Sequence, residues 1–190
     1  YWIAGADYNF NAVAPATGGN WTVVKKDAEN NVVTDATKTT LSFTNNGTTD
    51  LLYATATAEG KVSGQNVPVE FTFRHTLSKV KFSFENAYNG LNTSIRVKDI
   101  KILDPYKTGN VVLNQNTTWS NQAVDATTPL TLNFGHAASN AATENIAMQF
   151  GYGTTYESYN ELLMIPGAGP YTDANNGNKQ CYTVEFTVEL

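Results

Sequence analysis

Alternation with a period of two dominates this chain. Tyr182, Val184, Phe186, Val188 and Leu190 alternate with Thr183, Glu185, Thr187 and Glu189. Such a segment has one apolar and one polar face, as in a sheet with one side on a core. Shorter runs repeat the pattern. Trp21–Val24 and Asn31–Thr34 flank the polar Lys25–Asn30 and predict a hairpin. Leu41 and Phe43 precede the turn signal Asn45-Asn46-Gly47, and Leu51–Ala58 closes on Glu59-Gly60. Leu130, Leu132 and Phe134 alternate before Gly135. Ile146, Met148, Phe150 and Tyr152 alternate before Gly153, and Leu162–Ile165 runs into Pro166-Gly167. No stretch has sustained helical periodicity. Ala137–Ala147, rich in Ala but also in Asn and Ser, reads as a loop with at most one turn. Many short strands with Gly/Asn turns predict an all-β fold, an antiparallel β-sandwich.

Two interruptions of the alternation carry more detail. Val69, Phe71, Phe73, His75 and Leu77 share one parity, whereas Val80, Phe82 and Phe84 have the other. One regular strand cannot bury both sets on one face, so a bulge, bend or change of sheet is required between Thr76 and Lys79. Ile95 and Val97 followed by Ile100 and Ile102 require a second break near Asp99. Both breaks fit strands that kink or cross between the sheets of a sandwich.

The polar stretch Ser120–Thr128 is the best place for a domain boundary, dividing the chain into 1–122 and 123–190. The first part is long enough for one sandwich and the second is too short. Two readings stand. Residues 123–190 begin a second, incomplete sandwich, or they extend a single enlarged one across a long loop.

Composition supports the all-β reading and narrows function. The 190 residues include 22 Asn and 26 Thr, with 12% aromatic and only 15% charged residues. Thr, Tyr, Phe and Val favour strands, and Asn and Gly favour turns. A net charge of −5 with only two arginines, Arg74 and Arg96, argues against nucleic acid as a partner. A single cysteine, Cys181, rules out an intramolecular disulfide and a multi-cysteine zinc site. There is no run of 18 apolar residues, so no membrane-spanning helix is predicted. The sequence opens on Tyr1-Trp2-Ile3 without a signal sequence, and a processed or trimmed form is expected.

Nothing resembling a catalytic constellation emerges. Nucleophilic catalysis needs a base beside the nucleophile and a third group to orient it. The only histidines are His75, in an apolar strand pattern and so expected in or near the core, and His136, in a Gly/Ala/Ser loop. Cys181 has the parity opposite to Tyr182 in the final alternating segment. Asp173-Ala-Asn175-Asn-Gly177-Asn178 faintly resembles a calcium loop, but the glycine falls at the fifth position and no distal Glu follows. Glu157 and Glu161 are the only carboxylates worth considering as a hydrolytic pair. Asn-x-Ser/Thr occurs at Asn20, Asn46, Asn92 and Asn116, as expected by chance in a chain this rich in Asn and Thr. The reading is therefore no enzyme, no metal and no cofactor. Trp2, Trp21 and Trp119, with the tyrosines at 152, 156 and 159, could stack on sugar rings. In a small sandwich such aromatics more often fill the core.

The run Phe71-Thr-Phe-Arg-His-Thr-Leu-Ser-Lys-Val-Lys-Phe-Ser-Phe84 resembles a segment typical of fimbrillins, the type V pilin subunits of Gram-negative anaerobes. Phe71, Phe73, His75, Leu77, Ser78, Lys79 and Val80 carry the likeness. Tyr8–Pro15, Asp50-Leu-Leu-Tyr-Ala54, Ile95–Ile102 with Gly109 and Trp119, and Leu162-Leu-Met-Ile-Pro166 follow in the family's order. The resemblance implies two transthyretin-like β-sandwich domains, of which the leader and first strand are expected to be missing and the second domain to be present only in part. It also implies export as a lipoprotein, display on the outer membrane or in a fimbrium, and contact with the membrane only through a lipid anchor of the precursor. Subunits of such a family polymerise by donor-strand exchange, a neighbour's strand filling a groove opened by proteolysis. The partners so implied are other fimbrial subunits, in homo- or hetero-polymers, together with glycans or proteins of host or bacterial surfaces. The alternative reading is a surface glycan-binding module of a polysaccharide-uptake system, using Trp2, Trp21 and Trp119.

Overall fold

A computed structural model of the chain describes residues 3–24, 40–61, 68–90, 93–113, 117–138 and 146–190. Among these residues the regular structure is antiparallel β, with one short 3₁₀ turn at Ala174–Asn176. The fold class is thus the all-β one that the alternation predicts. The Lys25–Asn30 hairpin and most of the Ala137–Ala147 loop lie outside the described residues, as does Trp2. The chain gathers into two compact units. One comprises Tyr1–Thr44, Thr49–Leu77 and Thr108–Gln122; the other comprises Asn45–Thr48, Ser78–Lys107 and Ala123–Leu190.

In the first unit, β1 (Asp7–Ala14) pairs with β4 (Leu52–Glu59), which pairs with the short β5 (Arg74–His75). A second sheet runs β10 (Thr118–Ala123), β9 (Thr108–Val112), β3 (Thr40–Thr44), β2 (Trp21–Val24). Leu41, Phe43, Leu51, Tyr53 and Val111 are fully or almost fully buried. Gly109 sits opposite Phe43 in the ladder, and its missing side chain leaves room for the Trp119 indole. The indole reaches Phe43 edge-on, at 6.0 Å between ring centres.

The second unit contains β6 (Ser78–Val80), β7 (Ser83–Glu85), β8 (Arg96–Leu103), β11 (Thr131–Gly135) and β12 (Ala137–Ala138). It continues with β13 (Thr155–Ser158), β14 (Leu162–Met164), β15 (Tyr171–Asp173), β16 (Lys179–Cys181) and β17 (Thr183–Glu189). The strand orders are β11-β8-β17, β12-β13-β7, β14-β6 and β15-β16. Val97, Ile100, Ile102, Leu132, Phe134 and Phe150 form the core, and Phe82 meets Phe134 edge-on at 4.9 Å.

Both breaks in alternation have a structural cause. His75 ends a strand paired with β4, whereas Ser78 begins a strand paired with β14, so the parity changes at a change of sheet. At Asp99 the backbone turns left-handed (φ 55°) and the β8–β17 register slips. The slip returns Ile100 and Ile102 to the face occupied by Val97, and all three are buried.

Two predicted strands shrink. Val69–Phe73 makes no ladder, and Phe71 and Phe73 are exposed. Within Ile146–Tyr152 only Phe150 bridges, to Ile95. The β15–β16 hairpin is additional, and Asp173–Asn178 is its turn. Asp173 caps the 3₁₀ segment by accepting from the Asn175 amide at 2.9 Å. Its oxygen therefore satisfies a backbone donor, and no group of three metal-ligating side chains forms among the described residues.

Candidate functional site

The motif residues fall on both sides of the change of sheet. His75 Nδ1 lies 2.5 Å from Asp50 Oδ2, and the imidazole is 73% exposed. It is hydrogen-bonded, as a structural histidine should be, but at the surface and not in the core. Thr76 is buried and makes two hydrogen bonds to the Leu51 carbonyl, its amide and hydroxyl donating at 3.0 and 2.9 Å. The Thr76 carbonyl accepts from Trp119 Nε1 at 2.9 Å. Leu77 is buried, and Ser78, Lys79 and Val80 pair with Met164, Leu163 and Leu162. The motif is therefore a joint that anchors strands.

The tryptophans are similarly engaged. Trp119 is half-buried between Gly109, Phe43 and Thr76. Trp21 donates its indole N–H to the Pro15 carbonyl at 2.9 Å and packs against Gly19.

The carboxylates considered for hydrolysis are neutralised. Glu157 and Glu161 both contact the Lys81 ammonium, at 2.7 and 3.6 Å, and Glu161 also pairs with Lys79. The hydrogen bond from Lys79 holds the Glu161 carboxyl below its usual range. A general acid needs the opposite displacement. Burial, and then Tyr106, push the Tyr182 phenol up to about 12, and its hydroxyl lies 3.4 Å from the Ile165 carbonyl. His136 Nδ1 accepts from the Asp99 amide at 3.3 Å, supporting the bulge.

What remains unabsorbed is a flank of the second unit. In the ladder, Val184 stands opposite Ile102 and Val188 opposite Val97. They occupy the face that β8 turns to the core. Yet Val184, Phe186 and Val188 are 40%, 45% and 49% exposed. Phe186 touches one ring, Phe84 of β7, edge-on at 5.2 Å. Among the described residues β17 pairs only with β8, and β7 only with β13. Two unpaired backbone edges thus border one uncovered apolar strip. On its polar face β17 is fastened by Lys98–Glu189 and Lys101–Glu185. Exposed apolar alternation on an edge strand is the pattern that soluble proteins ordinarily avoid. The C-terminal alternation revealed this strand, but its core-face pattern gave no warning that the covering layer would be incomplete.

Several antiparallel sheets, with no α-helix among the described residues, define an all-β protein of the sandwich class. The chain belongs to the fimbrillin-like family, whose pattern it matches over residues 1–189. Members of that family are structural subunits of fimbriae. Comparison with curated proteins and with solved structures returns no match. No helix among the described residues is long and apolar enough to cross a membrane.

Proposed function

We propose that the chain is a structural and adhesive subunit of a cell-surface fimbria, joined to other subunits by strand exchange along the open flank of the second unit. The supporting observation is the strip Val184–Phe186–Val188 beside Phe84, bordered by the edges of β17 and β7. An extended segment with alternating apolar side chains would satisfy the free backbone groups and cover the strip together. Main-chain bonds would supply affinity, and the spacing of the apolar residues would supply register. Assembly with like or unlike subunits, and display on the outer membrane through a lipid anchor of the precursor, belong to the same proposal. Catalysis has no part in it.

The test uses the full chain and a set of synthetic peptides covering its own strands. A peptide that occupies the flank raises the unfolding temperature as its concentration rises, because binding stabilises the folded state by about 2.7 kcal/mol at a hundredfold excess over Kd. Phe186→Asp abolishes that shift. If no strand peptide shifts the transition, and the concentrated protein forms no filaments in electron micrographs, the proposal fails.

A further inference from the structure

We propose that the outer edge of β17 pairs with the same edge of a second copy of this chain, antiparallel and centred on Phe186. The inference rests on the reading that this edge accepts a strand, and it names one occupant. Among the described residues β17 has β8 on one side and no strand on the other. Tyr182–Leu190 holds no Lys, Arg, Pro or Gly, so it lacks the lysine and proline that ordinarily guard an edge. Its backbone is also regular. Where the β8–β17 register slips, Asp99 and Ile100 together stand against Phe186, so the extra residue belongs to β8.

The sequence selects both partner and register. In an antiparallel pair, residues directly opposite each other share a face. With the two-fold centre at Phe186, that ring meets the partner's Phe186. Val184 meets the partner's Val188, Glu185 the partner's Thr187, and Thr183 the partner's Glu189. All seven residues of β17 are then paired, apolar with apolar, and no carboxylate stands opposite another. Centring on Glu185 or Thr187 sets glutamate against glutamate, which repels. Centring on Val184 or Val188 shortens the overlap. A slip of one residue sets Phe186 against glutamate or threonine and turns the two apolar strips to opposite faces.

Charge on the polar face does not oppose the pairing, because Lys101 and Lys98 of β8 already hold Glu185 and Glu189. The strip Val184–Phe186–Val188, uncovered in the single chain, gains an identical strip beside it. A partner of different sequence would need the same alternation of charge and bulk, whereas a second copy supplies it by symmetry. A two-fold contact closes on itself, so it stops at two copies and leaves the β7 edge to strand exchange.

The experiment sediments the full chain from about 1 µM to about 1 mM, because an interface one strand wide lies at the small, weak end of the range. The parent passes from monomer to dimer. Thr183→Lys, opposite the partner's Glu189, tightens the dimer about threefold or more, and Thr183→Glu weakens it about threefold or more. Within one chain Thr183 stands opposite Leu103 of β8, so neither change faces a charge there. Register is read by diamide oxidation in a Cys181→Ser background. Val184→Cys chains cross-link to Val188→Cys chains when mixed, because directly opposite Cα atoms fall within disulfide reach, and neither variant cross-links to itself. The inference is overturned if the parent stays monomeric at the highest concentration, or if the Thr183 variants associate like the parent. It is equally overturned if the cysteine variants cross-link only to themselves or not at all. A strand peptide that stabilises a chain found monomeric overturns this pairing and leaves strand exchange standing. A chain that dimerises but neither binds a strand peptide nor forms filaments does the reverse.

Discussion

Trp119 donates its indole N–H to the carbonyl of Thr76 over 2.9 Å. Gly109 permits this, because a side chain there would meet the indole within 3.2 Å. Gly109→Val should therefore destabilise the first unit by about 1–3 kcal/mol, through overpacking against the ring. Trp119→Ala should cost about 3–5 kcal/mol. Combined, the two should cost less than their sum, because the clash disappears with the indole. Urea denaturation of the four proteins checks this.

The two phenylalanines at 134 and 186 should respond very differently. Phe134 is fully buried against Phe82, so Phe134→Ala should cost about 3–5 kcal/mol. Phe186 is already 45% exposed, and Phe186→Ala should cost about 1 kcal/mol. Its effect should instead appear in assembly, read as loss of the peptide-induced rise in unfolding temperature.

Asp99 holds a left-handed conformation (φ 55°) inside β8. Asp99→Gly should be neutral or slightly stabilising there. Asp99→Val should lose about 1–3 kcal/mol, since a branched side chain strongly disfavours that region. Thermal unfolding of the two variants separates backbone strain from loss of the carboxylate, which both remove.

Acid should loosen β17. Hydrogen bonding from Lys98 lowers the Glu189 pKa from its ordinary 4.5. A lowered carboxyl contributes stability above its unfolded value and loses it as the pH falls through the folded one. The loss therefore begins near pH 4.5 and continues below it. In Lys98→Ala the same acid titration, followed by limited proteolysis at β17, should show a smaller change between pH 6 and pH 3. The group is surface-exposed, so added salt should act in the same direction.

The fold was legible where side-chain alternation coincided with burial. Leu41/Phe43 and Leu132/Phe134 are buried in the strands their pattern predicts. The parity breaks at Thr76–Lys79 and Asp99 were legible too, because a period of two leaves no other solution. Phe71 and Phe73 misled for the same reason. Their alternation has strand character, but pairing depends on whether a neighbouring edge comes within reach, which composition does not encode. The open flank was hidden because it depends on distant segments. Exposure of Phe186 reflects what fails to cover it, and Asn86 joins its loop to residues more than sixty positions away, which no local pattern announces.

The passage from β5 to β6 has a consequence for how this chain can vary. Thr76 and Leu77 alone separate a strand of one unit from a strand of the other, and both are buried. With no spacer to absorb a change of length, one codon gained or lost there would throw His75 or Ser78 out of register with its partner strand. Variation in length should therefore collect elsewhere in the gene and spare this joint, even among relatives whose surfaces have diverged widely.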